Sequence, residues 1–398
     1  MNSSSLNTSF KINVPVEIYF GSGEIKHLGK VTAALGKKAV LITTPELQKS
    51  GLVKEALKHL QAYRVHITLF DDLQSEPDCT WIENHARQIK GSSPDVIVAF
   101  GGGSAMDAAK ALAIAVTHPR PIWDYVNLSN RPPLAIQENE VLPVVAVPTT
   151  AGTGSEVTPY AVLINHETTQ KGTIKSPAIF PKFAIIDPQL MSTLPPNLTA
   201  SCGFDAFAHA LESYINVKFA SAFSNLMAES AMSIIFRNLP QVIEDRHNVN
   251  LRSQMALGSM LAGMAIAHAG TTVAHALAQP LGVRIKLPHS LTVAIFTPAV
   301  LKYTWQADIT RFAKIYDVLH PKQEEHLSIE KKAGLAVKII NSFIKKIGLN
   351  HCISEFHTNR KLIDDLLEDV MNYMSRPLQQ HPKLFTIEEI RQIICQSF

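Results

Sequence analysis

The feature that most constrains the fold is a regular alternation of short apolar segments and longer helical segments in the first half of the chain. Five segments rich in Val, Ile, Leu and Ala are bounded by turn residues, at 38–44, 64–70, 95–100, 141–148 and 182–188. Stretches with helical periodicity lie between them at 52–62, at 81–90 and from Gly101 onward. Strands that alternate with helices at this spacing predict βαβ units around a mostly parallel sheet.

The second half of the chain has a different pattern. After Pro188, long stretches carry Ala, Leu, Met and Ile at helical spacing with almost no β-branched alternation, for example at 222–236, 252–269 and 331–347. A chain of 398 residues is long enough for two domains. We therefore expect an α/β domain at 1–190 and an all-α domain at 191–398.

The composition argues against several kinds of partner. The chain is 46% hydrophobic and 18% charged, and its formal net charge of +3 without a basic run argues against nucleic acid. Its apolar segments are far shorter than the roughly 20 residues of a membrane span, and its first residues lack the pattern of a secretory signal. No CxxC pair is formed by the scattered cysteines Cys79, Cys202, Cys352 and Cys395. Such cysteines favour reduced thiols in a cytoplasmic protein.

Four residues of the second half are spaced as ligands of one divalent metal ion, namely Asp205, His209, His275 and His289. Asp205 and His209 are four residues apart, so on a helix they project from one face. Three neutral imidazoles and one carboxylate leave a divalent ion with a net charge near +1, which suits a Lewis acid that binds a substrate oxygen. A histidine taken alone is more often an ordinary polar residue, and the spacing does not decide between these interpretations.

A glycine-rich turn follows the third predicted strand. Gly101, Gly102 and Gly103 allow the backbone to turn sharply and approach a ligand, and the amides of the next helix would face a pyrophosphate. We expect Ser104 to be the N-cap of that helix or an additional phosphate donor. The alternative is a tight turn that needs glycine for its own geometry. Small hydroxyl residues in segment 148–163 could likewise bind a nucleotide or form a loop without a ligand.

Taken together, these segments resemble the iron-containing (group III) alcohol dehydrogenase family. The matching motifs occur in one order along nearly the whole chain, as PVEIYFGSGEIKHLG, GGGSAMDAAK, PTTAGTGSEVT, AIIDPQLMSTLP, GFDAFAHALESY and the segment from His275 to His289. The resemblance implies a Rossmann-like NAD(P)-binding domain followed by a helical metal-binding domain, the architecture of dehydroquinate synthase. It also implies hydride transfer between a nicotinamide and a small alcohol or aldehyde, and a homodimer.

The resemblance assigns site residues one by one. Asp205, His209, His275 and His289 fall on the four metal-ligand positions, with Fe²⁺ as the first expectation and Zn²⁺ as the alternative. The cofactor-binding positions fall on Gly101, Gly102, Gly103, Ser104, Asp107, Thr149, Thr150, Thr153 and Lys171.

Three departures from the family pattern concern the proton route and the cofactor. Where the family has a histidine four residues after the third ligand, this chain has Gln279, which cannot titrate. His268 lies seven residues before His275 and would share its face on a continuous helix, so it is a candidate for proton handling; a packed helix histidine is the alternative. Where NAD-preferring members have an acidic residue after the first strand, this chain has Thr44, and we expect NADP(H) to be tolerated. Glu46 nearby keeps a preference for NAD open.

Two other enzymatic functions share this architecture. A sugar-phosphate cyclase of the dehydroquinate synthase type needs a dense cluster of basic residues, whereas only Arg284 and Lys286 lie between the last two ligand candidates. We interpret both as solvent-facing. A hydroxyacid–oxoacid transhydrogenase would be favoured by Arg284 beside the substrate. A non-catalytic member would need neither the four ligand residues nor the phosphate loop.

Overall fold

The computed structural model describes residues 9–74, 76–320 and 326–398. By its contacts the chain divides into two compact units. The first unit comprises Val14–Leu194 and the short segment His247–Ala256, and the second comprises 9–13, Pro195–Arg246 and, in its described part, the chain from Leu257 to Phe398.

Within its described residues, the first unit contains eight strands and five complete α-helices. The strands are β1 (Glu17–Phe20), β2 (Lys38–Ile42), β3 (His66–Phe70), β4 (Val96–Gly101), β5 (Val144–Pro148), β6 (Tyr160–Asn165), β7 (Gln170–Lys175) and β8 (Phe183–Ile186). The helices are α1 (Leu28–Leu35), α2 (Pro45–Ser50), α3 (Leu52–Ala62), α4 (Cys79–Lys90) and α5 (Gly103–Ala115). Each of the five predicted strands is present.

Six of these strands form one parallel sheet in the order β1-β8-β5-β4-β2-β3, which confirms the predicted sheet. β4 and β5 are buried along their whole length, as their continuous Val, Ile and Ala sequences require. The core on one face lies between the sheet and helices α1 and α3. The strand order reverses between β2 and β4, and the carboxyl ends of strands at such a reversal are the usual ligand site of a parallel sheet.

The remaining two strands, β6 and β7, form an antiparallel hairpin that the sequence analysis did not predict. β6 is fastened to α5, because the backbone amide of Val162 donates to the carboxylate of Asp107 at 3.1 Å. Lys171 lies in β7, opposite Ile164. The hairpin therefore carries one predicted cofactor residue and contacts another.

The second half of the chain is mostly helical, as predicted. Its helices are α6 (Pro196–Ile215), α7 (Ala222–Glu244), α8 (Val249–Ala269), α9 (Val273–Ile285), α10 (His289–Thr304), α11 (Ile309–Leu319), α12 (Ile329–Lys346), α13 (Lys361–Tyr373), α14 (Ser375–Leu378) and α15 (Ile387–Gln396). The three long helical stretches predicted from the sequence correspond to α7, α8 and α12.

The chain bends sharply between α8 and α9. Gly270 follows the last residue of α8 with a φ of +79°, a left-handed conformation that favours glycine and ends a helix. The two helix directions differ by 103°. Among the described residues, no single helix combines the length and the apolar composition of a membrane span, and α8 with α9 would do so only as this bent pair. Because of this bend, His268 and His275 do not lie on one continuous helix, so the condition under which they would share a face is not met.

Candidate metal and cofactor sites

Three of the predicted metal ligands come together inside the helical unit. Asp205, His275 and His289 each offer one ligand atom within 4.8 Å of the other two. Asp205 Oδ1 lies 3.7 Å from His275 Nε2. Two ligand atoms that are each about 2.1 Å from one tetrahedral ion lie roughly 3.4 Å apart, so the observed separation is close to that of a shared ion.

The fourth predicted ligand, His209, lies beside this group. Its Nε2 is 3.9 Å from Oδ2 of Asp205, which precedes it by one helical turn on α6. Its ring stacks on the ring of His275 with a centroid separation of 4.7 Å. The structure therefore brings all four residues into one neighbourhood, with three in a close cluster and His209 at its side.

The chemistry of this cluster fits a divalent cation. Asp205 and His275 are each only 3% exposed, and Asp205 Oδ1 and His275 Nε2 are buried atoms with no hydrogen-bond partner among the described residues. Leaving buried polar atoms without a partner is costly, and a cation would satisfy both. Burial opposes ionisation of Asp205, but the neighbouring histidines, His209 first, hold its pKa well below the usual range. The carboxylate is therefore in the ionised form that a ligand needs.

Glu212 is a buried carboxylate beside this cluster that the sequence analysis did not single out. Its Oε2 accepts a hydrogen bond of 3.0 Å from Nδ1 of His275. Glu212 lies seven residues after Asp205 and three after His209, which places all three on one face of α6. That spacing, in the motif GFDAFAHALESY, was the available signal.

The two candidate catalytic residues, His268 and Gln279, have different surroundings. His268 donates from Nδ1 to the carbonyl of Met264 at 2.7 Å and accepts the amide of Asn13 at Nε2 at 3.2 Å. Both ring nitrogens are occupied, so His268 matches the alternative interpretation of a hydrogen-bonded helix histidine. Gln279 lies one turn after His275 on α9, and its Oε1 is buried with no hydrogen-bond partner among the described residues.

The glycine loop lies at the carboxyl end of β4 and packs tightly against the loop that follows β5. A Cβ atom added at Gly103 would lie 2.5 Å from Cγ2 of Thr153, and one added at Gly102 would lie 3.2 Å from the side chain of Thr150. The amide of Thr149 donates to the carbonyl of Gly101 at 2.9 Å. Glycine is required here because the predicted phosphate loop and the predicted threonine loop are in direct contact.

The prediction that Ser104 is an N-cap is wrong. α5 begins at Gly103, and Gly102 occupies the cap position without a side-chain hydrogen bond. Ser104 Oγ instead accepts the backbone amide of Glu76 at 3.1 Å. The carboxylate of Glu76 in turn accepts a hydrogen bond of 2.6 Å from Nζ of the buried Lys171. Ser104 of α5 and Lys171 of β7 therefore both bind Glu76 and hold it close to the start of α5.

Two charged side chains of α5 fasten that helix to the loop after β5. Lys110 is completely buried and donates to the carbonyl oxygens of Ser155 at 2.6 Å, Thr158 at 2.9 Å and Tyr160 at 2.8 Å. Asp107 accepts a hydrogen bond of 2.9 Å from the hydroxyl of Ser155. Burial lowers the pKa of Lys110 to about 8 even though Asp107 opposes this. The sequence analysis did not identify Lys110, because its partners are backbone carbonyl oxygens about 45–50 residues away in the sequence, which a local pattern does not reveal.

Thr44 lies two residues past the end of β2, at the same edge of the sheet as the glycine loop. It precedes α2 in an extended conformation, with φ of −111° and ψ of 158°, and makes no side-chain cap hydrogen bond. The pKa of the neighbouring Glu46 is lowered, first by its own backbone amide and then by the Thr44 hydroxyl. An ionised but exposed carboxylate therefore lies next to the neutral Thr44.

Arg284, which we interpreted as solvent-facing, is only partly exposed because it pairs with two carboxylates. Its Nε donates to Asp369 at 2.5 Å, and its Nη1 lies 3.6 Å from Asp365. Both carboxylates belong to α13 and balance the guanidinium charge, whereas Lys286 is exposed. Arg284 therefore gives no support to a function that needs an anionic substrate beside it.

Comparison with known proteins covers both halves of the chain. Residues 15–188 match the family model described as iron-containing alcohol dehydrogenase, and residues 199–398 match the C-terminal model of the Fe-containing alcohol dehydrogenase family. The chain is 33% identical to long-chain-alcohol dehydrogenase 1 of Geobacillus thermodenitrificans over 391 residues, which are 98% of this chain and 96% of that protein. It is also 33% identical to 1,3-propanediol dehydrogenase of Citrobacter freundii over 395 residues, 98% of this chain and 99% of the relative.

Solved structures agree with these sequence matches. An archaeal halo-thermophilic alcohol dehydrogenase from a Red Sea brine pool superposes with a TM-score of 0.92 at 28% identity, over 98% of this chain and 100% of that chain. The predicted function of an NAD(P)- and metal-dependent alcohol oxidoreductase is confirmed, and neither rival enzymatic function is better supported. The chain belongs to the iron-containing alcohol dehydrogenase family.

Proposed function

We propose that this protein interconverts a small alcohol and its aldehyde at a divalent ion held by Asp205, His209, His275 and His289. The observation that carries the proposal is the buried cluster in which Asp205 Oδ1 and His275 Nε2 lie 3.7 Å apart and lack hydrogen-bond partners among the described residues. When bound there, the ion supplies Lewis acidity that favours loss of the substrate's hydroxyl proton.

The side chains of the cluster prepare this site. Asp205 contributes the single negative charge among the four ligands, and Glu212 holds the proton on Nδ1 of His275 so that the Nε2 lone pair is available. α6 and α9 bury small apolar residues beside the ligands, which excludes water and strengthens electrostatic interactions. Gln279 can orient a substrate oxygen by a hydrogen bond but cannot carry its proton.

The carboxyl edge of the parallel sheet binds the nicotinamide cofactor in this proposal. The amides at the start of α5, beside Gly102 and Gly103, suit a pyrophosphate because they have no partner within the helix and lie at its positive end. Thr149, Thr150 and Thr153 offer hydroxyls from the adjoining loop. The neutral Thr44 removes the repulsion that an acidic residue would exert on a 2′-phosphate, so NADP(H) is accepted.

The substrate in this proposal is a small alcohol or its aldehyde. Relatives of similar identity are named for different alcohols and cofactors, including an NAD-dependent methanol dehydrogenase of Bacillus methanolicus and an NADPH-dependent butanol dehydrogenase of Clostridium saccharobutylicum. This variety supports the reaction class and leaves the individual substrate to experiment.

A cytoplasmic homodimer without nucleic acid or membrane partners completes the proposal. All four cysteines are free and none pairs with another, which suits a reducing compartment. The homodimer rests on the family resemblance.

The direct test is a substrate panel on protein purified without chelator. The metal content is measured first, the protein is reconstituted with Fe²⁺ or Zn²⁺, and small alcohols, aldehydes and hydroxyacids are assayed with NAD(H) and NADP(H). We expect turnover of alcohols and aldehydes with added cofactor. Asp205→Ala should lose metal and at least about a hundredfold in kcat. The matched control is Asp364→Ala, which removes an exposed carboxylate of α13 and should change neither.

Two outcomes would contradict the proposal. Turnover restricted to a hydroxyacid–oxoacid pair, with tightly bound cofactor and no need for added nicotinamide, would indicate a transhydrogenase. Full activity and metal content in Asp205→Ala would mean that the metal is held elsewhere.

A further inference from the structure

We infer that Glu212 is a positioning residue of the metal site, which fixes the orientation and tautomer of His275 by binding its side chain and the start of its helix together. The inference rests on the proposed metal site. Glu212 is not one of the four proposed ligands. Its contacts explain the orientation of one of them, His275.

The two oxygens of Glu212 accept four hydrogen bonds from the beginning of α9. Oε1 accepts the amides of Ala274 at 2.7 Å and His275 at 3.3 Å. Oε2 accepts the amide of Thr272 at 2.5 Å and Nδ1 of His275 at 3.0 Å. The same carboxylate therefore fixes both the backbone and the side chain of His275.

Glu212 takes over a task that the cap residue of α9 does not perform. The first amides of a helix have no partner within it and are usually satisfied by the side chain of the N-cap residue. Thr272 stands at that position but makes no cap hydrogen bond. Its hydroxyl instead contacts Nδ1 of the buried His381 at 3.1 Å, and Nε2 of His381 lies 2.7 Å from the hydroxyl of Thr304. The first backbone amides of α9 are therefore satisfied by Glu212 of α6 and not by their own cap residue.

The contact at Nδ1 decides which nitrogen of His275 can bind a cation. A carboxylate accepts but does not donate, so Nδ1 carries a proton, and the neutral imidazole that binds a cation has its lone pair on Nε2. Nε2 is the atom that lies 3.7 Å from Asp205 Oδ1 and has no hydrogen-bond partner among the described residues. Carboxylates that hold a metal-binding histidine in this way typically affect metal affinity about 10–100-fold when removed.

The test compares Glu212→Gln with wild type by the binding of Zn²⁺ to metal-free, folded protein. Zn²⁺ is titrated against a competing chromophoric chelator after circular dichroism has verified the fold of each variant. Glutamine has nearly the same shape, but its amide nitrogen replaces one acceptor with a donor. We expect the Kd for Zn²⁺ to rise about 10–100-fold. Loading with Co²⁺ should also give an altered visible absorption spectrum, which a loss of helix capping alone would not produce.

The matched control is Glu229→Gln on α7. Glu229 is a partly exposed carboxylate of the same unit, 3.6 Å from Lys314, so its charge is lost in the same way without contact to His275. It should bind Zn²⁺ as wild type does. An unchanged Kd and Co²⁺ spectrum in folded Glu212→Gln would overturn the inference.

A measurement on wild-type protein covers the case in which Glu212→Gln does not fold. In protein labelled with ¹⁵N-histidine and loaded with Zn²⁺, the resonances of His275, assigned with His275→Gln, should show a protonated Nδ1 and a metal-bound Nε2. Metal bound through Nδ1 would overturn the inference.

Asp205→Ala separates this inference from the proposed function. If Asp205→Ala fails to bind Zn²⁺ while Glu212→Gln binds as tightly as wild type, only the role of Glu212 is wrong. If Asp205→Ala binds as wild type does, the proposed metal site itself is wrong.

Discussion

Nζ of Lys110 lies 2.6 Å from the carbonyl oxygen of Ser155, so a fully buried ammonium group joins α5 to the loop that follows β5. α5 starts at the glycine loop, and the joined loop begins with Thr149 and Thr150. The two segments proposed to bind the cofactor are therefore held to each other by one cation.

Replacement of Lys110 by methionine should destabilise the protein strongly. Methionine fills a similar volume but leaves several buried carbonyl oxygens without a donor and Asp107 without its neighbouring positive charge. Each buried polar group left without a partner costs about 1–3 kcal/mol, and denaturant unfolding should show a loss of at least this size. The KM for the nicotinamide cofactor should rise more than the KM for the aldehyde. Lys54→Met, at an exposed position of α3, is the control, and equal effects of the two variants would contradict the prediction.

Gly103→Ala should disturb the contact between the glycine loop and the threonine loop. The added Cβ would lie 2.5 Å from Thr153 Cγ2, so one of the two loops must move. Overpacking of this kind costs about 1–3 kcal/mol, and the KM for cofactor should increase while metal content stays unchanged. Gly91→Ala is the matched control because a Cβ there meets no atom within 4 Å. A wild-type KM in Gly103→Ala would show that the loops do not bind the cofactor as proposed.

The residue at position 44 should control the choice between NADH and NADPH. We expect wild type to use NADPH, and Thr44→Asp to lower kcat/KM for NADPH by about 10–100-fold, equivalent to about 1.4–2.8 kcal/mol of repulsion between like charges. Kinetics with both cofactors measure the change, and Glu46→Gln should shift the ratio in the opposite direction. A wild-type preference for NADH above about a hundredfold would refute the prediction.

His381 should make the protein less stable in mild acid. Burial lowers the pKa of His381 to about 4, against 6.5 for the unperturbed group, and Glu212 opposes this only in part. Between these pH values the unfolded chain binds a proton that the folded protein does not, so the stability contribution is present above pH 6.5 and is lost as the pH falls to about 4. The expected loss is about 3 kcal/mol.

The measurement is the free energy of unfolding of metal-free protein between pH 7 and pH 4. His381→Gln should show a shallower decrease than wild type over this range, whereas the control His66→Gln, at an exposed position of β3, should keep the wild-type slope. The same slope in wild type and His381→Gln would contradict the prediction.

The sequence predicts the framework of this protein well because its signals are local. β4 and β5 are continuous apolar runs that only a sheet covered on both faces can bury, and α7 and α12 have clear helical periodicity. The hairpin of β6 and β7 was missed for two reasons. β7 (QKGTIK) is polar at most positions, and most of the apolar β6 (YAVLIN) lies within segment 148–163, which was interpreted as a loop of small hydroxyl residues. Such strands depend on contacts with α5, which do not appear in the local pattern.

Site residues that act through tertiary contacts were harder to predict. The spacing of Asp205 and His209 is visible in the sequence because both lie on one helix. Ser104 follows a glycine turn, as an N-cap residue often does. However, α5 already begins at Gly103, which packs tightly against Thr153. Whether His268 shares a helix with His275 could not be decided from the sequence, because one glycine does not reveal a bend of 103°.

The four hydrogen bonds of Glu212 imply that the proposed metal site is assembled before any ion arrives. An imidazole already held by a carboxylate does not have to be ordered by the incoming cation, so loss or replacement of the ion does not require the surrounding helices to refold. Imidazole and carboxylate ligands accept several divalent transition metals, and availability then decides among them. A protein of this design would exchange its metal according to the supply in the cell and keep the same fold throughout.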